Sequence, residues 1–290
     1  ELAKKDIEFT PQLDVVRNLN KGTFNTECLS EDSYYKVYGK PTIELKKQIE
    51  KEIKRKFNET SDILDDFNWN ESGDKDYFLY SMLKKEFEFP KVFDRLEKGK
   101  FKDWENVKYF GIKKKTSEKV REQVKVLYYN SKEDFAIKLL TKSNDEVIIS
   151  RGNKANTFGE IYAEIKENNE NFKGSKDKKE DEIVKIPNID FKLKKEFNEI
   201  EAKPFLFASG EEYVIEKAVQ TIEFSLDEKG GRVKSEAGMT NKTTALLPDL
   251  EPREFLVNDT FCIFLKEKDK ELPYFAAKIS DITQVQILGN

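Results

Sequence analysis

Two β-rich runs late in the chain, Val214 to Leu226 and Phe255 to Leu265, frame residues 227–254, which show no hydrophobic periodicity. Stretches longer than about 12–15 residues without structure of their own are either functional or disordered. Any fold for this chain must join two strong strands across that interval. It opens with a polar hinge, Asp227-Glu228-Lys229-Gly230-Gly231, and continues in small, polar and Thr residues. Function is therefore sought there first.

Composition narrows what the interval can do. Of 290 residues, 37% are charged and 37% hydrophobic, and 22 Phe with 11 Tyr supply core material, so the chain is globular rather than disordered. Charge runs of this kind are ordinary solvated surface. The formal net charge is −4 with Lys and Arg spread throughout, which gives no basic stripe for nucleic acid. No segment approaches the roughly 18 apolar residues of a membrane span. Glu1-Leu2-Ala3-Lys4-Lys5 begins no signal peptide, and a removed leader leaves no trace, so the compartment stays open.

There is no His, the commonest general base and metal ligand. Two cysteines, Cys28 and Cys262, are too few for a Cys-rich zinc site or a disulfide framework, so no metal and no cofactor are expected. Cys262 lies inside Phe261-Cys262-Ile263-Phe264-Leu265 and reads as a core thiol, with pairing to Cys28 left open. A Ser or Cys nucleophile would lack its usual base, and no S-x-x-K stretch opens an apolar helix. The adjacent carboxylates Asp65-Asp66 and Glu211-Glu212 diverge, and Gly230-Gly231 lacks the strand-to-helix context of a phosphate loop. The chain is not expected to be an enzyme.

Along the chain, residues 1–33 resist assignment beyond a short strand near Phe9 to Val16. Ser33 to Tyr38 reads as a strand. Thr42 is placed to cap a helix whose stripe is Ile43, Leu45, Ile49, Ile53 and Phe57. Ile63 to Phe67 reads as a turn or short helix, and Tyr77 to Phe89 as strand or helix. Tyr109 to Ile112 is a short strand. Val124 to Tyr129 and Phe135 to Leu140 flank a polar turn and form a hairpin, with Glu146 to Ser150 as a further strand. Thr157 and Glu160 make a capping box before the stripe Phe158, Ile161, Tyr162, Ile165. Ile183 to Leu193 is a strand that Pro187 confines to an edge or irregular place. Cys262 to Lys266 and Tyr274 to Ile279 make a final pair. The fold class is α+β, mostly antiparallel strands with few helices.

Val214-Ile215-Glu216-Lys217-Ala218 leading to Leu226-Asp227-Glu228-Lys229-Gly230 resembles the strand and hinge of the serpins, where V-x-H-K-A leads to V-x-E-x-G. Phe261 to Leu265 with Tyr274 to Ile279 is similar to the family's C-terminal strand pair. The helix from Thr42, then Asn58-Glu59-Thr60 and the run Leu79 to Phe93, resembles its helix-to-central-strand passage. The Val124 to Leu140 hairpin is similar to strands behind its main sheet. Glu216 stands where serpins have His, Ser81 where they have Asn and Phe89 where they have Trp, so Ser81 and Glu216 are the shutter-like positions. The family's helical N-terminal third is largely missing from the first forty residues. The resemblance implies one serpin-like domain over residues 1–290, with an unassigned segment 1–33, a core 34–285 and an exposed reactive-centre-like loop 228–254.

It also implies a mechanism: a protease cuts the loop, which then enters the main sheet as an extra strand and traps the acylated enzyme. Side chains of an inserted strand alternate between faces. With Glu228 as register mark, Gly231, Val233, Ser235 and Ala237 face inward and Arg232, Lys234 and Glu236 face solvent. A slip of one residue would bury three charges. Glu228, Gly230 and Gly231 are the hinge. Counting forward from Glu228 puts the scissile bond at Thr244-Ala245, and counting back from Phe261 puts it nearer Asp249. The bait region is Thr243 to Leu247, with Leu246 and Leu247 suiting an elastase- or subtilisin-like serine protease. The resemblance thus implies a protease inhibitor: a monomer whose partner is a serine or cysteine protease, with an extracellular place favoured. The competing reading is a non-inhibitory serpin-fold binding or structural protein whose loop is only a substrate.

Overall fold

The computed structural model describes residues 7–9, 30–65, 67–69, 73, 75–198, 200–207, 210–231 and 252–287. They fall into two compact units, residues 1–85 with 192–223, and residues 86–191 with 224–290.

The first unit is built on a six-stranded sheet. Its strands are β1 (Ile7–Phe9), β2 (Tyr34–Gly39), β3 (Asp76–Leu83), β11 (Ile189–Glu196), β12 (Pro204–Phe207) and β13 (Glu212–Leu226), in the order β1-β12-β13-β3-β2 with β11 also pairing β13. Helix α1 (Ile43–Phe57) lies on one face. The Thr42 hydroxyl accepts a hydrogen bond from the Leu45 N–H at 3.1 Å, and Asn58, in the left-handed region, ends the helix by donating its N–H to Lys54 O. Leu45, Ile49, Ile53 and Phe57 recur at helical spacing and bury against Phe78, Tyr80, Leu64 and Trp69. Each such side chain contributes about 1.5–3 kcal/mol. On the other face Tyr77, Phe205, Ile215 and Ala218 form a separate cluster.

The second unit holds two sheets. One has the order β15-β10-β6-β5, from β5 (Asp94–Phe101), β6 (Trp104–Ile112), β10 (Ile183–Pro187) and β15 (Glu254–Leu256). The other has the order β17-β16-β9-β8-β7, from β7 (Val124–Ser131), β8 (Asp134–Leu140), β9 (Asp145–Arg151), β16 (Phe261–Glu267) and β17 (Phe275–Ile279). Alternation sorts the central strands by face. Ile149 and Ile263 join Phe101, Phe110, Phe135 and Phe255 in the main core, whereas Ile148, Cys262 and Phe264 meet Ile161, Tyr162 and Ile165 of helix α3 (Phe158–Asn171). Thr157 and Glu160 cap α3 reciprocally. Gly111 lets β6 approach β10: its φ is +150°, and a Cβ there would sit 2.0 Å from Val184 O. A short helix, α2 (Glu118–Arg121), and a two-stranded pair, β4 (Phe87–Glu88) with β14 (Gly230–Gly231), complete the unit.

The α+β class and the strand-rich, helix-poor architecture agree with the sequence reading. Three details differ. The run Phe255 to Leu265 is two strands, because Asn258 and Leu256 O turn to accept from Arg151 Nη1, at 2.5 and 2.6 Å. The run Ile183 to Leu193 breaks at Asn188, whose N–H bonds Lys108 O instead. The strand at Tyr109 to Ile112 begins earlier, at Trp104, because it pairs with β5, a Lys- and Glu-rich strand without an apolar signature. Phe264 is fully buried between β16 and α3. Phe264→Ala is expected to cost about 3–5 kcal/mol in urea unfolding, against under about 0.5 for an exposed control such as Lys268→Ala.

Candidate functional site

Residues 227–231, expected to be a hinge, form a tight hairpin at the end of β13. Asp227 and Gly230 exchange backbone hydrogen bonds of 3.1 and 3.3 Å, leaving Glu228 and Lys229 at the corners, and Asp227 Oδ1 accepts the Lys229 N–H at 2.8 Å. The chain therefore reverses within two residues. Gly230 has φ +134°, and a Cβ there would stand 2.3 Å from Phe87 O, so only glycine fits. Gly230 and Gly231, both buried, pair antiparallel with Glu88 and Phe87.

Segment 87–95 fastens this hairpin. Phe89 N–H donates to Lys229 O at 2.9 Å and Phe93 N–H to Glu228 O at 2.8 Å. Arg95 Nε donates to Glu228 Oε1 at 2.7 Å. The Glu228 side chain is 6% exposed and that of Arg95 76%. Burial opposes charge on Glu228, but hydrogen bonds from Arg95 and from its own backbone N–H prevail and hold its pKa below the ordinary value.

Earlier in β13 comes a pairing of a different kind. β13 pairs β3 in parallel from Val214↔Asp76 to Ala218↔Leu79, whereas β1–β12, β12–β13 and β2–β3 are antiparallel. The described β3–β13 pairing ends at Ala218 and Leu79. Glu216 occupies a bulge in it, between Ile215 and Lys217. Partial burial, then the charge of Asp76 and a hydrogen bond shared with it, raise the Glu216 pKa. Ser81 is exposed on β3 opposite Lys36, so the two shutter-like positions share a sheet without pairing with one another.

The far end of the interval is anchored as well. Arg253 donates from Nε to Glu182 Oε1 at 2.5 Å and from Nη2 to Glu182 Oε2 at 3.1 Å. It also reaches Ser175 O at 2.8 Å and Asp177 O at 3.1 Å. Residues 254–256 then join β10 in parallel. A cavity of about 580 Å³ lies beside the hairpin, with Phe87, Ile189, Leu226, Lys229, Val285 and Gln286 among its walls.

Of the sequence-derived site residues, Glu228, Gly230 and Gly231 come together in the hairpin. Val233, Ser235, Ala237 and the bait residues Thr243, Thr244, Ala245, Leu246 and Leu247 lie outside the described residues. So does Cys28, while Cys262 is a buried free thiol. Sequence reasoning missed Arg95, Glu182 and Arg253, because each partner is distant in the chain and no spacing links them. Among the described residues there is no group of three or more His, Cys, Asp or Glu fit for a metal, and no helix long and apolar enough to cross a membrane.

No family model and no curated protein matches the chain by sequence. Solved structures match by fold. Human kallistatin superposes with a TM-score of 0.50 at 12% identity, covering 83% of this chain and 64% of its own. Human thyroxine-binding globulin gives 0.50 at 12% identity, over 82% of this chain and 64% of its own. Serpin48 of the insect Tenebrio molitor gives 0.47 at 13%, over 91% of this chain and 84% of its own. The chain is a divergent serpin-fold protein. It spans less than two thirds of the length of kallistatin and of thyroxine-binding globulin.

Two changes test the hairpin. Gly230→Ala, which must move Phe87 or flip the turn, is expected to loosen amide protection at Phe89 and Phe93 by more than tenfold. Glu228→Gln should cost about 1 kcal/mol at neutral pH, a modest figure because Arg95 is solvated. The folded Glu228 pKa lies below its unfolded value, so its contribution is present above about pH 4.3 and is lost as pH falls through the folded pKa. Acid unfolding curves of wild type and Glu228→Gln should therefore converge at low pH.

Proposed function

We propose that this chain is a serpin-type protease inhibitor whose loop, once cut, enters the sheet between β13 and β3. The observation that carries the reading is that the chain reverses at Asp227 to Gly230 after a strand, β13, that pairs β3 in parallel. A segment that turns back from β13 runs antiparallel both to it and to β3. Insertion would replace one short parallel pairing, the weaker kind per residue, by two antiparallel ladders.

Register supports the same reading. Continued down β13 from the Asp227↔Gly230 bridge, one residue for one residue, the count brings Met239 opposite Ala218. Ala218 is the last β13 residue in the described pairing with β3. In this register Gly231 sits opposite Leu226, which is buried, so Val233, Ser235 and Ala237 share the inward face and Arg232, Lys234 and Glu236 the outward one. The bond cut is Thr244-Ala245, within Thr243 to Leu247, and the target is an elastase- or subtilisin-like serine protease.

The cavity beside the hairpin favours one second reading, a binding module that uses the fold without inserting its loop. The solved structure of thyroxine-binding globulin is a complex with thyroxine. A 580 Å³ cavity falls in the range of about 300–1,000 Å³ typical of ligand sites.

Incubation with elastase- and subtilisin-like proteases separates the two. The inhibitor forms a complex that survives denaturing electrophoresis, and the nicked chain melts at a clearly higher temperature than the intact one. Nicking near Thr244 with an unchanged melting temperature would leave only the binding module. Val233→Arg and Ala237→Arg should abolish complex formation yet leave cleavage intact, whereas Lys234→Ala should not; inhibition retained in both Arg variants would refute the register.

A further inference from the structure

The second anchor is built differently from the first. Arg253 follows Pro252 at the point where residues 232–251 give way to β15, and β15 itself makes three parallel pairs, Glu254 to Leu256 with Ile183 to Lys185. So short a ladder holds poorly alone. Phe255 and Val257 bury in the core, and Arg253 adds a polar grip, its guanidinium making two bonds to the Glu182 carboxylate and one each to Ser175 O and Asp177 O. Its Cζ also lies 5.5 Å from the Phe255 ring centroid and 5.9 Å from that of Tyr129. The Glu182 side chain is 1% exposed and that of Arg253 15%. A planar fork on a buried carboxylate is the geometry in which Lys cannot replace Arg.

Beneath the pair lies Lys178, its side chain fully buried. Its ammonium is 3.3 Å from Glu182 Oε2 and 3.6 Å from the Phe255 ring centroid, yet has no well-formed hydrogen bond. Two cations thus compete for one carboxylate in a site closed to water. The charged groups facing it are Glu182 and Asp181 on its own segment and Arg253 on the returning chain; β7 adds Lys125, which pairs with Asp177 at 2.7 Å. Burial first, and then the Arg253 charge, outweigh the attraction of Glu182 and bring the Lys178 pKa down to about 7.

We propose that Arg253 is the positioning residue for the C-terminal foot of the loop, clasped by Glu182, and that Lys178 makes this clasp weaken as pH falls toward neutrality. The role rests on the inhibitor reading for its purpose, since a loop drawn into a sheet must stay tethered at its far end until it is cut. The clasp itself is measurable without that reading.

The sign follows from the two states of Lys178. Clasped, it loses its proton near pH 7; released to water, it keeps it to about pH 10.4. The open state binds more protons between these values, so the clasp strengthens as pH rises through that window and is weakest, with no further change from Lys178, below pH 7. The opening constant should fall by up to tenfold per pH unit above pH 7.

The test is amide exchange of the peptide covering 253–258 in the intact chain, corrected for intrinsic rates and measured from pH 6 to 9, with β9 as internal control. Wild type should show the predicted pH slope at β15 and none at β9. Arg253→Met and Glu182→Gln should raise β15 opening at least tenfold, and Arg253→Lys should rescue little of it. Lys178→Met should slow β15 exchange at pH 7 and abolish the slope. Wild-type exchange rates retained in Arg253→Met, or in Arg253→Lys should the Met variant fail to fold, would overturn the positioning role; a slope that survives Lys178→Met would overturn the pH device. A nicked wild-type chain whose melting temperature does not rise would sink the inhibitor reading while leaving the exchange result standing.

Discussion

A hairpin that only glycine can close governs the rest of this molecule. β13 ends where Asp227 and Gly230 bond to one another, and the absence of a Cβ at Gly230 lets the reversed chain pair closely with the Phe87 carbonyl. Segment 87–95 then holds the turn through backbone bonds to Lys229 O and Glu228 O, with the Arg95 ion pair added on the solvent side. Backbone bonds fix the geometry, and the solvated ion pair only biases it.

The two ends of the loop are held by the same chemistry at different depths. At the near end the arginine is solvated and the glutamate buried. At the far end both are enclosed, and a second cation is enclosed with them. Pairs taken out of water gain strength from the low dielectric but lose hydration, so the far anchor is the more sensitive of the two to its proton balance. The near end is suited to staying folded through changes of condition, the far end to responding to them.

What could be read from the residues alone depended on how local each signal was. Thr42 with its stripe, the Thr157–Glu160 box, the Val124 to Leu140 hairpin and the FCIFL strand are written in consecutive residues, and each appears where the periodicity puts it. β5 escaped notice because Asp94 to Phe101 is mostly charged, with Leu96 and Phe101 its only apolar side chains, and its strand character comes from β6 alongside. The break at Asn258 required Arg151 to arrive from elsewhere in the chain. At the site, the turn at Asp227 to Gly230 was legible because turn chemistry is local. The clasp was not, since Arg253 and Glu182 are brought together only by the pairing of β15 with β10. The parallel pairing, too, is a property of topology that no window of residues contains.

Cys262 gives the fold a built-in stopwatch. Its thiol lies on β16 beneath α3, among Ile161, Tyr162, Ile165 and Phe264, and burial raises its pKa. A reagent can reach that sulfur only when this packing opens. The pace of alkylation at Cys262 therefore clocks the opening of this face of the five-stranded sheet, the face opposite the main core.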